Sequence, residues 1–219
     1  MSAARELIER EGIAGFSLRD LARRLGVSHA AAYRHFASKD ELVARLVWDV
    51  QLRFTACLKH ARDAAGADPR ARLSALARAY VRFGLEGGAD LELAFSREVQ
   101  SVGAWALEHG LIVPADLAAV DSFGVLLDVT AEAVAAGVLP AGTDPMAASL
   151  LLWSSVHGYC LLARDGAIAG LCGQRGRSED WARAAVLDVL DRLISRDGPA
   201  APTAAAAATT PAAPPGAEA

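Results

Sequence analysis

The sequence is short of the features that mark a metalloprotein, a secreted scaffold or a membrane protein. Its three cysteines, Cys57, Cys160 and Cys172, are odd in number and form no CxxC pair. That disfavours a disulfide framework or a zinc site and leaves free thiols in a reducing cytoplasm as the expectation. No Glu-x-x-His pair, glycine-rich phosphate loop or metal-spaced His/Cys cluster occurs. The chain is therefore expected to need no cofactor and no metal, and a helical-bundle enzyme is the weaker reading. No uninterrupted apolar run approaches the roughly 18 residues that cross a bilayer, and the opening MSAARELIEREG lacks the apolar centre of a signal peptide. A protein without a membrane partner follows. Runs of β-branched residues between turn signals are scarce, whereas Ala, Leu and Gly dominate and 53% of the residues are apolar. The expected fold is all-α, in one or two domains.

What the chain does have is concentrated between Ser17 and Lys39, SLRDLARRLGVSHAAAYRHFASK. Leu18, Leu21, Ala22 and Leu25 recur at i, i+3, i+4 and i+7, one apolar face of a helix. Gly26 stands where a left-handed C-cap is wanted, Val27 is expected to tuck in, and Ser28 is placed to cap a second helix over 28–36. At 1.5 Å per residue that second helix is roughly 12 Å long, a match for the major groove of B-DNA. Arg19, Arg23, Arg24, Arg34 and Lys39 face only Asp20 in this stretch, in a chain whose net charge is −4. A basic island on an acidic protein is the electrostatic footprint of phosphate contact.

Around this helix-turn-helix the pattern is helical throughout. Ala4, Leu7 and Ile8 line a first helix that ends at Gly12. Ser17 with Asp20, and Ser38 with Glu41, have capping-box spacing. Leu42, Leu46, Val50, Phe54 and Leu58 stripe a long fourth helix to about Ala65. Longer, less charged helices follow over 70–85, 90–108 and from Pro114 to Gly137. The helix after Asp144-Pro145 is apolar nearly all round to Arg164 and is expected to be buried on several sides. With a last helix carrying Trp181, Leu187, Leu190 and Ile194, it is the candidate subunit interface, because one helix-turn-helix needs a partner to reach two half-sites. Residues 198–219, nearly all Ala, Pro, Thr and Gly, read as a disordered tail.

Phe16-Ser17-Leu18-Arg19, Leu25-Gly26-Val27-Ser28, Tyr33-Arg34-His35-Phe36 and Ser38-Lys39-Asp40-Glu41-Leu42 together resemble the TetR family of one-component transcriptional regulators. Trp153-Ser-Ser-Val-His157-Gly158 and Tyr80-Val-Arg-Phe83 resemble its WHG-type C-terminal domain. The resemblance implies a homodimer that binds a palindromic operator and leaves it when a small molecule enters the C-terminal domain, most simply a repressor. It divides the chain into a DNA-binding domain over 1–46, an effector-binding and dimerisation domain over 47–197, and the tail. Family members usually carry a fuller first helix preceded by a basic arm; this sequence opens almost at the residues matching Ala3-Ala4, so no arm contacts are assigned.

On the second helix of the motif, Ala32 and Phe36 are expected to face inward. Ser28, His29, Ala30, Ala31, Tyr33, Arg34 and His35 are then left to DNA, the alanines allowing close approach to the groove floor. Arg34 can fork onto guanine O6/N7, with Arg19 a second base-reading candidate. Ser17, Tyr33, His35 and Lys39 resemble the family's phosphate-positioning residues. For the effector, Phe83, Phe95, Trp105, Phe123, Trp153 and His157 supply an aromatic core able to enclose an apolar ligand. A different class of reading remains beside this one: a dimeric helical interaction protein whose helix-turn-helix no longer touches DNA.

Overall fold

The computed structural model describes residues 1–95, 107–110 and 119–194. Among them are ten helices and no strand, as the composition implied: α1 (Ser2–Gly15), α2 (Leu18–Arg24), α3 (His29–His35), α4 (Lys39–Ala64), α5 (Pro69–Glu86), α6 (Asp90–Phe95), α7 (Ser122–Ala135), α8 (Pro145–Arg164), α9 (Ala167–Gly173) and α10 (Glu179–Ile194). Local chemistry sets most starts. Ser17, Ser28, Ser38, Asp68, Asp121 and Asp144 each accept a hydrogen bond from a backbone N–H in the first turn of the helix they open. Pro69 and Pro145 occupy first helical positions, where a missing N–H costs nothing.

Helix α1 is bent at Gly12, whose φ of 70° and ψ of 164° lie outside the helical region. The bend turns Ile13 and then Phe16 into the core, both fully buried. The Ile13 N–H that the bend releases from the helix points at a Glu92 carboxylate oxygen 3.4 Å away.

Two apolar cores result. The first gathers Leu7 and Ile8 of α1, Leu18 and Leu21 of α2, and Leu42 to Val50 of α4, and it also takes in Ala89, Leu93 and Ala94 from much later in the chain. The second packs α4 from Phe54 onward with α5, α7, α8 and α10, and includes Leu91. Among the described residues, α4 and α6 bury side chains in both, each by presenting one stretch or face to each core, and the partly buried Phe83 of α5 packs against both as well. At the junction the Asp90 carboxylate, 4% exposed, pairs with Arg53 at 2.9 Å and lies 3.4 Å from Arg5 Nε, while Asp49 pairs with both arginines. Farther out, Arg72 of α5 pairs with Glu132 of α7 at 2.6 Å, and Arg78 with Asp191 of α10.

Several expectations need correction. Leu25, expected on the buried face, is 56% exposed and Val27 is also exposed, because α2 stops at Arg24 and the chain bends away before either reaches the core. The helix expected from Pro114 opens at Ser122, where Asp121 supplies the cap. Of the helix expected over 90–108, Asp90–Phe95 is observed; its proposed break near Gly103 lies outside the described residues, as do Pro114 and the tail. The short helix α9 was not anticipated. Helix α8, expected to be enclosed, instead leaves Met146, Leu150, Leu151, Leu161 and Leu162 exposed. It is also long and apolar enough to span a bilayer by length and composition, with mean hydropathy 1.4 in its best 18-residue window, although Ser149, Ser154, Ser155 and His157 interrupt any pure apolar run. Its inner side packs against α5 and α7.

The backbone at Gly12 occupies a region that is almost exclusively glycine's. Gly12→Ala should therefore lower stability by about 1–3 kcal/mol, read as a shift of the urea midpoint. Gly15→Ala, whose added Cβ meets only ordinary contacts, should leave that midpoint nearly unchanged.

Candidate DNA interface and ligand cavity

The helix-turn-helix is locked by its own backbone. The Ser17 hydroxyl accepts from the Asp20 N–H at 3.1 Å and donates to the Asp20 carboxylate. At the far end of α2, Gly26 takes φ 66°; its N–H bonds the Arg23 carbonyl at 3.2 Å and the Val27 N–H bonds the Ala22 carbonyl at 3.0 Å. This is the paired hydrogen bonding of a Schellman stop, which satisfies carbonyls the helix end would otherwise orphan. The Ser28 hydroxyl then accepts from the Ala31 N–H at 3.2 Å to open α3.

Turn and cap together fix the roll of α3. Ala32 is buried and Phe36 packs on the first core, leaving His29, Ala30, Tyr33, Arg34 and His35 exposed and Ala31 half-buried. The His29 and Tyr33 rings meet edge to face, 4.8 Å apart. Of the basic residues, Arg23 pairs with Asp20 at 2.6 Å and Arg24 with Glu6. The Lys39 ammonium donates to the Ala14 carbonyl at 3.1 Å and sits 5.3 Å over the Phe16 ring, fastening the start of α4 to the loop before α2. Arg19 and Arg34 are exposed and have no ion-pair partner among the described residues. Exposed pairs such as Arg23–Asp20 contribute little to stability, so their arginines can exchange partners cheaply. Glu41 completes the start of α4: its carboxylate accepts from the Ala37 N–H at 2.8 Å and then from Arg45, which together hold its pKa below the ordinary value.

The second core holds a half-open cavity of about 360 Å³ between α4, α5, α6, α7, α8 and α10. Phe54, Leu76, Tyr80, Phe95, Phe123 and Trp153 are among the side chains on its wall. Of the residues expected at a ligand site, Phe95, Phe123 and Trp153 line it. Phe83 does not; it stands behind Phe54, with ring centroids 4.8 Å apart. His157 is one layer back and lines a second, more polar hollow of about 330 Å³ with Glu92, Phe95 and Arg164. Trp105 lies outside the described residues.

Tyr80 brings a polar group to the largely apolar wall. Tyr80 Oη lies 2.7 Å from His157 Nδ1 and 3.2 Å from Trp153 Nε1. The indole N–H is a donor only, so Tyr80 accepts from it. The direction of the bond to His157 follows the tautomer of its imidazole: Nδ1 accepts the phenol proton when Nε2 carries the ring proton, and donates to Tyr80 when Nδ1 carries it. Burial raises the Tyr80 pKa and lowers that of His157, keeping both neutral. Sequence reasoning missed Tyr80 as a lining residue, along with Leu190 and Ile194 of α10, because helical period marks them as core without telling core from cavity. Cys160, its thiol pushed up to about 11 by burial, is packed beneath Gly84 and is no nucleophile. Among the described residues no group of His, Cys, Asp or Glu is arranged to hold a metal.

A capped helix-turn-helix carrying free arginines, joined by a shared helix to a helical unit with a cavity, defines a ligand-responsive class of helix-turn-helix regulator. Comparison with known proteins agrees. Residues 1–46 match the family model for bacterial regulatory proteins of the tetR family, and residues 73–186, more than half the chain, match the tetracyclin repressor-like C-terminal domain. The chain belongs to the TetR family, whose members are transcriptional regulators and not enzymes; they bind operator DNA and small-molecule effectors. An HTH-type transcriptional regulator of Mycobacterium bovis is 34% identical over 139 residues, 61% of this chain; the match spans 53% of that relative's length. A protein of unknown function from Rhodococcus sp. RHA1 superposes with a TM-score of 0.63 at 31% identity, covering 87% of this chain and 91% of the other. AibR, solved with isovaleryl coenzyme A and operator DNA, shares the fold with a TM-score of 0.53 at 19% identity, over 71% of this chain and 80% of its own.

His157 supplies a pH test of this packing. Its folded pKa lies below the ordinary 6.5, so the folded state binds fewer protons than the unfolded one. The stability gained by keeping it neutral is complete above pH 6.5 and is lost as pH falls toward the folded value. The thermal midpoint should drop between pH 7.5 and 5.5 more steeply in the native chain than in His157→Gln.

Proposed function

We propose that this chain acts in the bacterial cytoplasm as a homodimeric repressor of a palindromic operator, and that a small apolar or aromatic molecule entering the cavity releases it. Residues 1–46 carry the DNA contacts and 47–197 the effector and the second subunit. The observation that carries this reading is the exposed face of α3 beside α2, with Arg34 and Arg19 without an ion-pair partner among the described residues. In the proposal Arg34 reads guanine in the major groove, Arg19 reads a flanking base or phosphate, and His29, Ala30 and Ala31 lie along the groove floor. Ser17, Ser28, Tyr33, His35 and Lys39 position phosphates. Ser17 and Ser28 already cap helices, so they do this by holding backbone N–H groups in place. Lys39 keeps protons free beyond its bond to Ala14.

The exposed apolar sides of α8 and α10 support the homodimer. Leu151 is 69% and Leu193 71% exposed, with Leu150, Leu162, Trp181 and Val189 nearby in sequence also uncovered. Large apolar side chains left uncovered on two helices suit an interface. Release follows from the two helices that reach both cores. A ligand between Phe54 of α4 and Phe95 of α6 bears on elements whose other ends hold α1 and α2. It shifts the balance only by the difference in its affinity for the two arrangements. AibR, which shares the fold, holds both kinds of occupant.

Arg34→Ala should weaken operator binding by about 1–3 kcal/mol and relax preference at one base pair, whereas Lys39→Ala should weaken all sequences alike and lower the salt slope by about one. Titrations against single-base operator variants at several salt concentrations separate the two. A chain that shifts no DNA at low salt would favour the interaction-protein reading. Leu151→Glu should elute at half the native mass in size-exclusion chromatography with light scattering.

A further inference from the structure

We infer that DNA binding by this chain takes up protons from solvent, and that His29 and His35, the first and last residues of α3, receive them. The complex then tightens as pH falls through the range in which imidazole gains its charge. The inference rests on the DNA reading above and adds a second control to the same face. Position comes first. Both imidazoles are exposed. The His29 ring is held edge to face against Tyr33, 4.8 Å away, on the uncovered side of the helix start. With Ala32 turned inward, His35 falls on the flank of α3, the side that meets a phosphate wall when the helix lies in a groove. His29 lies over the floor, where purine N7 and guanine O6 are acceptors.

The surroundings supply little to hold a proton on either ring before DNA arrives. No Asp or Glu occurs from residue 21 to residue 39. The carboxylates on neighbouring elements are engaged: Asp20 of α2 by Ser17 and Arg23, Glu6 of α1 by Arg24, and Glu41 of α4 by the Ala37 N–H and Arg45. Asp40, exposed in the first turn of α4, is the remaining acid there. Cations outnumber it. Arg19 and Arg34 have no ion-pair partner among the described residues, and Lys39 sits on the Ala14 carbonyl at the start of α4. DNA changes the balance, because a phosphate beside an imidazole favours its charged form. The imidazolium also donates from both nitrogens, where the neutral ring donates from one. Protons and DNA are two ligands of one protein, so each raises affinity for the other by the same factor.

The test uses a fluorescein-labelled mixed-sequence duplex of about 40 base pairs, long enough for two half-sites a turn or two apart. It is titrated with the full chain at pH 8, 7 and 6, each at several salt concentrations. Affinity should rise about tenfold from pH 8 to pH 6, the effect of one imidazole whose charged form gains about one unit from its partner. The salt slope should be steeper at pH 6 by about one per subunit, for one more phosphate neutralised. Both residues are exposed, so the double variant His29→Gln/His35→Gln should fold, and it should bind alike at the three pH values. His60→Gln, exposed on α4 about 30 Å along the helix from Lys39, should keep the native pH response. Protonation of His157 lowers stability and so works against binding at low pH; it cannot imitate the expected rise. Affinity that is flat or falls toward pH 6, or a rise that survives the double variant, overturns the inference and leaves the DNA reading standing. No binding at any pH defeats the DNA reading and the inference with it.

Discussion

A buried carboxylate holds the two halves of this molecule in register. Asp90 has almost no contact with water, and a charge in that position is tolerable only if it is paired. Its partners come from both sides: Arg53 from the middle of α4, and Arg5, nearby on α1. Asp49 pairs with the same two arginines, so no member of the group can move without uncovering another. Two oppositely charged pairs shared among three helices define relative position more tightly than apolar contact alone, because charge pairing is directional and apolar packing slides.

The rest of α6 gains its meaning from that anchor. Within six residues it places Leu93 in the first core, Leu91 in the second and Phe95 on the cavity wall. Glu92 meanwhile takes up the N–H released where α1 bends at Gly12. Helix α4 makes the same crossing over a longer span, with Val50 in one core and Phe54 in the other. Helix α6 thus touches both the cavity wall and the core in which α1 and α2 sit. Helices this well packed have few intermediate positions, which favours two discrete arrangements over a continuum.

Much of this was legible in the chain itself, and the reason differs by element. Caps and stops act over three or four residues, so Ser17, Gly26, Ser28 and Ser38 announced α2, α3 and α4 directly. The inward turn of Ala32 and Phe36 followed from helical period. Long-range features were less accessible. That Asp90 is buried, or that α6 belongs partly to the first core, depends on pairings across some eighty residues, and neither composition nor period encodes them. Among the aromatics, Phe95, Phe123 and Trp153 reach the cavity while Phe83 and His157 stand behind its wall. All five satisfy the same helical pattern, and only the three-dimensional stacking of the rings sorts them. Leu25 and the outer leucines of α8 err in the opposite sense: their character suggested burial, but the chain alone offers them no neighbour.

The intrusion of Ala89, Leu93 and Ala94 into the first core has a practical meaning for protein engineering. The opening segment of the sequence is not a portable reading head. Severed after α3 or partway along α4, it would lose the surface that seals Leu7, Ile8 and Ile13 from water, together with the acidic partner of Arg5 on α6. A chimera that transplants this recognition element onto another sensor would have to carry a matching α6, or supply a replacement plug of the same shape and charge.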